Sequence, residues 1–136
     1  MSVYLLDTNI LIRFHQDDHP VMSPASRRLL DDASQGRATL EILPVIVGET
    51  LFTLASFFKT PRRDISSFLT GVLTLPGVRC SERNVLMDAL HRYATTSIDF
   101  ADCYLAAAAA AKNTPVASFD HDLDKFKDVR RFEPKP

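Results

Sequence analysis

Glycine is scarce in this chain, four residues in 136. Gly36, Gly48, Gly71 and Gly77 are scattered and form neither a Walker A loop nor a GxGxxG run, which excludes the common phosphate-cradling motifs. Cysteine is scarcer still. Cys80 and Cys103 are far apart and make no CxxC pair, so a disulfide scaffold is excluded and free thiols in a reduced, cytoplasmic setting are expected. His15, His19, His91 and His121 share no spacing suited to zinc. No apolar stretch reaches the roughly 18 residues of a membrane helix. The opening Met1-Ser2-Val3-Tyr4-Leu5-Leu6-Asp7 lacks a basic n-region and meets an acid too early for a signal peptide.

An excess of charge is lacking too. Sixteen basic and 17 acidic residues give a net charge of −1, which is not the bulk signature of a strongly basic nucleic-acid binder. The distribution is more informative than the sum. Arg outnumbers Lys eleven to five, with local pairs at Arg27-Arg28, Arg62-Arg63 and Arg130-Arg131. Guanidinium groups suit bidentate phosphate contacts; solvated helix faces and loops are the competing explanation for each pair.

What is present is an alternation of strands and helices. Val3 to Asp7 reads as a short buried strand, and Thr8 to about Gln16 as a helix with Ile10, Leu11 and Phe14 at helical spacing. Ser23-Pro24 reads as an N-cap and first helical proline, with a stop at Gly36. Thr39 to Leu43 is a candidate strand, and Pro44 to Phe58 a helix apolar enough to be central. Helices from Thr60-Pro61 to Leu73, Ser81 to Ala94 and Asp99 to Lys112 follow, with strands at Val78–Cys80, Val116–Phe119 and Val129–Phe132. The pattern predicts one α/β domain over residues 1–136. Its expected architecture is a three-layer sandwich with a mainly parallel central sheet of four to five short strands. Ligands of such sheets gather outside the carboxyl ends of the strands.

Four acids stand in apolar surroundings: Asp7 after the first strand, Glu49 inside Val45 to Phe52, Asp102 before an alanine-rich helix, and Asp120 after Val116 to Phe119. Removing a lone carboxylate from water is costly unless it is paired, protonated or metal-bound. Two carboxylates about 4 Å apart repel by roughly 4 kcal/mol at an effective dielectric near 20. An oxygen-only set of this kind suits hard Mg²⁺ or Mn²⁺. Each acid has a structural rival explanation. Asp7 could be an N-cap, and Glu49 a snorkelling surface residue, although Val45, Ile46, Phe52 and Thr53 beside it offer no cation. Asp99 fits a capping box begun by Thr96, and Asp122 and Asp124 rival Asp120. Asp102 lies a turn deeper than Asp99 and lacks that excuse.

Asp7-Thr8-Asn9 after a strand, Glu49 in an apolar helix, Asp102-Cys103-Tyr104-Leu105-Ala106-Ala107 opening a helix and Ser118-Phe119-Asp120 after a late strand together resemble the PIN-domain ribonucleases. Within that family, length and organisation look most like the VapC-type toxins of toxin–antitoxin pairs. The third motif departs mildly, since it more often reads Asp-Ala-Leu. The resemblance implies a Mg²⁺- or Mn²⁺-dependent endoribonuclease acting on structured RNA (tRNA, rRNA or mRNA), a homodimer, and a cognate antitoxin. It implies Asp7, Glu49, Asp102 and Asp120 as catalytic residues. Asp7, Asp102 and Asp120 would hold metal, with Thr8, Asn9, Asp99 and Ser118 supporting them. The apolar segments Leu51–Phe58 and Ile65–Val72 are expected to offer partner surfaces.

Rival readings remain at this level. An aspartyl phosphatase wants a second Asp two residues after the first, where Asn9 stands. A receiver domain wants a late Lys that Ser118-Phe119-Asp120 does not supply. An RNA-processing nuclease without an antitoxin, or a non-catalytic RNA- or partner-binding domain of the same fold, stays open.

Overall fold

The structure is a computed structural model that describes residues 2–136. The chain divides into two compact units, Met1–Arg83 and Asn84–Pro136. The first unit runs β1 (Ser2–Leu5), α1 (Thr8–Gln16), α2 (Met22–Ser34), β2 (Ala38–Glu41), α3 (Pro44–Ser56), α4 (Arg62–Leu73) and β3 (Val78–Arg79). The second unit follows with α5 (Arg83–Thr95), α6 (Phe100–Lys112), β4 (Val116–Ala117), a short 3-10 helix (His121–Lys125) and β5 (Arg131–Phe132). Among the described residues no helix is long and apolar enough to cross a membrane.

The fold is α/β, and every strand pairing among the described residues is parallel. In the first unit β2 lies between β1 and β3, with Ser2 opposite Ala38 and Leu40 opposite Val78. In the second, β4 pairs β5 with Val116 opposite Arg131. Parallel neighbours need crossover segments, which the helices supply. The strands thus group as three and two, in sheets smaller than the expected single one.

In the first unit, buried Leu11, Leu30, Leu40, Leu54, Ile65 and Leu69 come from helices and the middle strand alike. Each such side chain contributes about 1.5–3 kcal/mol when fully removed from water. Gly77 is required by close packing. Its N–H donates to Ala33 O at 2.9 Å, and its carbonyl accepts from Leu40 N at 2.8 Å. An added Cβ would strike the carbonyl oxygens of Ala38 and Ala33.

Several local expectations change. The first strand, an edge strand of its sheet, is exposed rather than buried, with Leu5 67% open. α2 starts at Met22, not after Ser23. His19 Nδ1 accepts from Met22 N at 2.9 Å and does the capping, while Ser23 Oγ donates to Arg13 O at 2.8 Å. α3 buries Val47, Thr50, Leu51 and Leu54 and leaves Val45, Glu49 and Phe52 open. Its apolar composition therefore does not mean all-round burial. α4 is amphipathic: Ile65, Leu69 and Val72 are core residues and offer no partner surface.

Candidate functional site

In the first unit, Asp7 lies two residues beyond β1, at the carboxyl end of the strand, and takes the N-cap position of α1 with φ −88° and ψ 150°. Its side chain makes no capping hydrogen bond. The structural rival for Asp7 therefore lapses, and the carboxylate sits near the helix N-terminus, where negative charge is favoured. Asp7, Thr8 and Asn9 line a cavity of about 360 Å³ together with Glu49 and Thr53 of α3, Ile12 and Arg13 of α1, and the Phe57–Phe58 corner. The Thr8 hydroxyl is buried in this wall without a hydrogen-bond partner.

Neither acid here is buried. Asp7 and Glu49 are both exposed, so the desolvation argument that singled them out does not hold. The reason is geometric: a strand-to-helix turn opens to solvent, and Glu49 stands on the face of α3 opposite Val47, Leu51 and Leu54. What they share is one concavity. A cation, Arg13, also lines it, though the helical neighbours of Glu49 offer none. Asn9, Ile12 and Arg13 fall on one face of α1, a spacing from which Arg13 could have been found.

In the second unit, Asp99 is the N-cap of α6 and Asp102 lies in its first turn. Asp99 makes no capping bond from its side chain. The expected capping box is absent. Instead Thr96 Oγ1 accepts from Ile98 N at 3.2 Å and donates to Arg92 O at 2.7 Å. Asp120 follows β4 and caps the short 3-10 helix, its Oδ1 accepting from Asp122 N at 2.9 Å. Ser118 Oγ in turn accepts from Asp120 N at 2.9 Å, tying the turn down.

These acids feel one another. Burial, then the charges of Asp120 and Asp99, a hydrogen bond with Asp120 and the charge of Asp122 raise the Asp102 carboxyl above its ordinary value. Every charged neighbour in that set is an acid. Asp102 is half-buried, whereas Asp120 is exposed, so the expectation of a desolvated Asp120 fails, while its proximity to Asp102 stands. Of its rivals, Asp122 belongs to the cluster, although Lys125 Nζ also reaches it at 3.2 Å. Asp124 does not: Arg131 Nε lies 2.9 Å from it, and that hydrogen bonding holds its carboxyl below the usual range. Arg131 is thereby a structural clamp that also bonds Glu133 and the carbonyl of Ser118.

The donor chemistry is oxygen-only. Among the described residues no group of three or more His, Cys, Asp or Glu side chains is close enough to form a complete metal set. The crowding of Asp99, Asp120 and Asp122 around Asp102 is of a kind that the charge of a hard cation would relieve. The histidines are engaged elsewhere, His15 against the Phe68 ring at 4.6 Å and His19 at the start of α2. Cys80 and Cys103 are free thiols, and Cys103 is buried with Sγ donating to Ile98 O at 3.5 Å.

No curated protein matches the chain. The PIN-domain family model matches residues 4–129, a span that begins in β1, includes all four acids and reaches past the 3-10 helix. With that match over nearly its whole length, and acids at the carboxyl ends of β1 and β4, this chain belongs to the PIN-domain family.

Proposed function

We propose that this protein is a Mg²⁺- or Mn²⁺-dependent endoribonuclease acting on structured RNA, and that it serves as the toxin of a toxin–antitoxin pair in the cytoplasm. PIN domains are generally nucleases that use divalent metal ions, and the family match spans residues of both units. The observation that carries the reading is the PIN-domain match over residues 4–129, supported by the crowding of Asp99, Asp120 and Asp122 around Asp102 with no basic group among them. Like charges crowded together without a basic partner mark a candidate functional site.

Asp7, Asp102 and Asp120 would hold the cation. When bound, it supplies neutralisation of phosphoryl charge and acidification of water. Glu49 accepts the proton of the attacking water as that oxygen bonds to phosphorus in line and the P–O bond to the leaving oxygen breaks. Thr8, Asn9, Asp99 and Ser118 are assigned to supporting the carboxylates; Ser118 Oγ accepts from the Asp120 backbone N–H. Val45 and Phe52 flank Glu49 on the open face of α3, 70% and 68% exposed, and form the surface for a second copy or an antitoxin.

The test is cleavage of tRNA, rRNA and mRNA by the full chain with Mn²⁺ or with EDTA. Metal-dependent cutting, lost at least about 100-fold in Asp7→Asn and Asp102→Asn while circular dichroism shows both folded, is the expected result. Undiminished cutting by either variant, or by wild type in EDTA, overturns it. Growth arrest on induced expression, relieved by a cognate antitoxin, tests the toxin role.

A further inference from the structure

The cavity beside Asp7 and Glu49 has a wall that hydrolysis does not account for. Phe57 and Phe58 follow α3 with ring centroids 4.8 Å apart and planes at 73°. Phe57 is 77% exposed, a large aromatic left open at the rim of a polar concavity. The backbone holds this corner firmly. Phe57 N and Phe58 N both donate to Thr53 O, at 2.9 and 3.4 Å, and Thr60 N donates to Leu54 O at 2.9 Å. Lys59 turns the chain in the left-handed region, φ 55°, at the helix end.

Lining the same cavity, Asn9, Thr53 and Arg13 offer an amide, a hydroxyl and a guanidinium. Arg13 is held by an exposed ion pair with Asp18 at 3.3 Å, and such pairs are weak enough to be exchanged for a ligand. A flat, uncharged ring with donors and acceptors on its edge, joined to an anion, matches this lining. An apolar side chain would leave the polar edge unmet. At about 360 Å³ the cavity is at the small end of ligand pockets and admits one such ring, not a base pair.

We propose that Phe57 and Phe58, with Arg13, form a nucleobase subsite that stacks an unpaired base adjacent to the scissile phosphate. The substrate class narrows accordingly to RNA cut at a loop, bulge or single-stranded segment, where a base is free to leave its stack. The proposal rests on the nuclease reading above.

The experiment compares kcat/KM of wild type, Phe57→Leu, Phe57→Tyr and Phe58→Leu on an RNA hairpin cut in its loop. The same hairpin is also made with an abasic nucleotide on either side of the cut. Stacking of one base predicts a loss of about 5- to 100-fold for Phe57→Leu, chiefly in KM, with recovery in Phe57→Tyr. It also predicts that wild type and Phe57→Leu become equal on one of the two abasic substrates. An equal loss on all substrates, or no loss, overturns the subsite while leaving the nuclease reading intact. If wild type cuts no RNA, NMR titration with the loop trinucleotide decides. Ring-proton shifts at Phe57, with trinucleotide binding weakened in Phe57→Leu, support the base subsite and sink hydrolysis; unshifted rings overturn the subsite. Unchanged RNA kinetics with impaired neutralisation by an antitoxin would assign the rings to protein docking and overturn the subsite as well.

Discussion

Arg92 on α5 grips Asp128 across 36 residues of sequence, its Nη1 lying 2.9 Å from Asp128 Oδ1. Asp88 takes the Nε at 3.2 Å, and the Phe126 ring sits 5.0 Å from the guanidinium carbon. The guanidinium is nearly buried and fully engaged, while Asp128 is more than half exposed. Asp128→Asn is therefore expected to lower the unfolding free energy by about 1 kcal/mol, a value already reduced for solvent screening. The hydrogen bonds from Arg92 hold the Asp128 carboxyl below its ordinary value. Its stabilisation is complete above the unfolded carboxyl pKa of about 4 and is lost as pH falls through the lower folded value. Urea titrations at pH 7 and pH 3 check this: the gap between wild type and variant should narrow in acid.

Asp102 behaves in the opposite sense. Its carboxyl is raised in the folded protein, so its ionised form opposes folding above the folded value and has no effect below the unfolded one. Asp102→Asn should melt at or above the wild-type temperature at pH 7 in EDTA, and the difference should vanish near pH 3. Millimolar Mn²⁺ should raise the melting point of wild type more than that of the variant. A lower melting point for the variant in EDTA would refute the like-charge cluster.

Two glycines should respond oppositely to alanine. Gly77→Ala places a Cβ 2.5 Å from Ala33 O and closer still to Ala38 O, both immovable backbone atoms. A loss of about 3 kcal/mol or more is expected, enough to compromise folding. Gly71→Ala in α4 meets open space, and should gain roughly 0.5–1 kcal/mol from helix propensity. Thermal unfolding followed by circular dichroism reads both.

Lys59 adopts a left-handed backbone at the end of α3, a conformation that carries a cost of about 1 kcal/mol for a residue with a Cβ. Lys59→Gly should therefore stabilise the protein by up to about 1 kcal/mol, measured by chemical denaturation. A destabilised variant would show that the lysine side chain contributes more than its backbone costs.

Helix positions were legible because periodicity, Pro44 and Asn113 speak locally: α1 spans Thr8–Gln16 and α3 begins at Pro44, as the pattern predicts. Burial was not. Glu49 and Phe52 sit among apolar neighbours in sequence yet face solvent, since composition says how greasy a helix is and not which side is covered. Asp7 and Asp120 were singled out by their positions after strands and Glu49 and Asp102 by their apolar helical contexts, although the reason first given, desolvation, applies to Asp102 and not to Asp7, Glu49 or Asp120. The Thr96 capping box failed because its hydroxyl closes the end of α5 instead. Arg13 was missed although its helical spacing from Asn9 was readable, and Asp122 was weighed only as a rival of Asp120 because the loop that brings it to Asp102 is not encoded by neighbouring letters.

Arg131 spends its charge on Asp124 and Glu133, and no basic group enters the surroundings that perturb Asp102. The second unit consequently keeps a net-negative pole, offset only by the exposed Lys125–Asp122 pair, next to a clamped guanidinium. Polyamines and monovalent salt must compete for that pole by the same screening that weakens any exposed field. Spermidine and potassium would therefore compete with any divalent ion drawn to that pole.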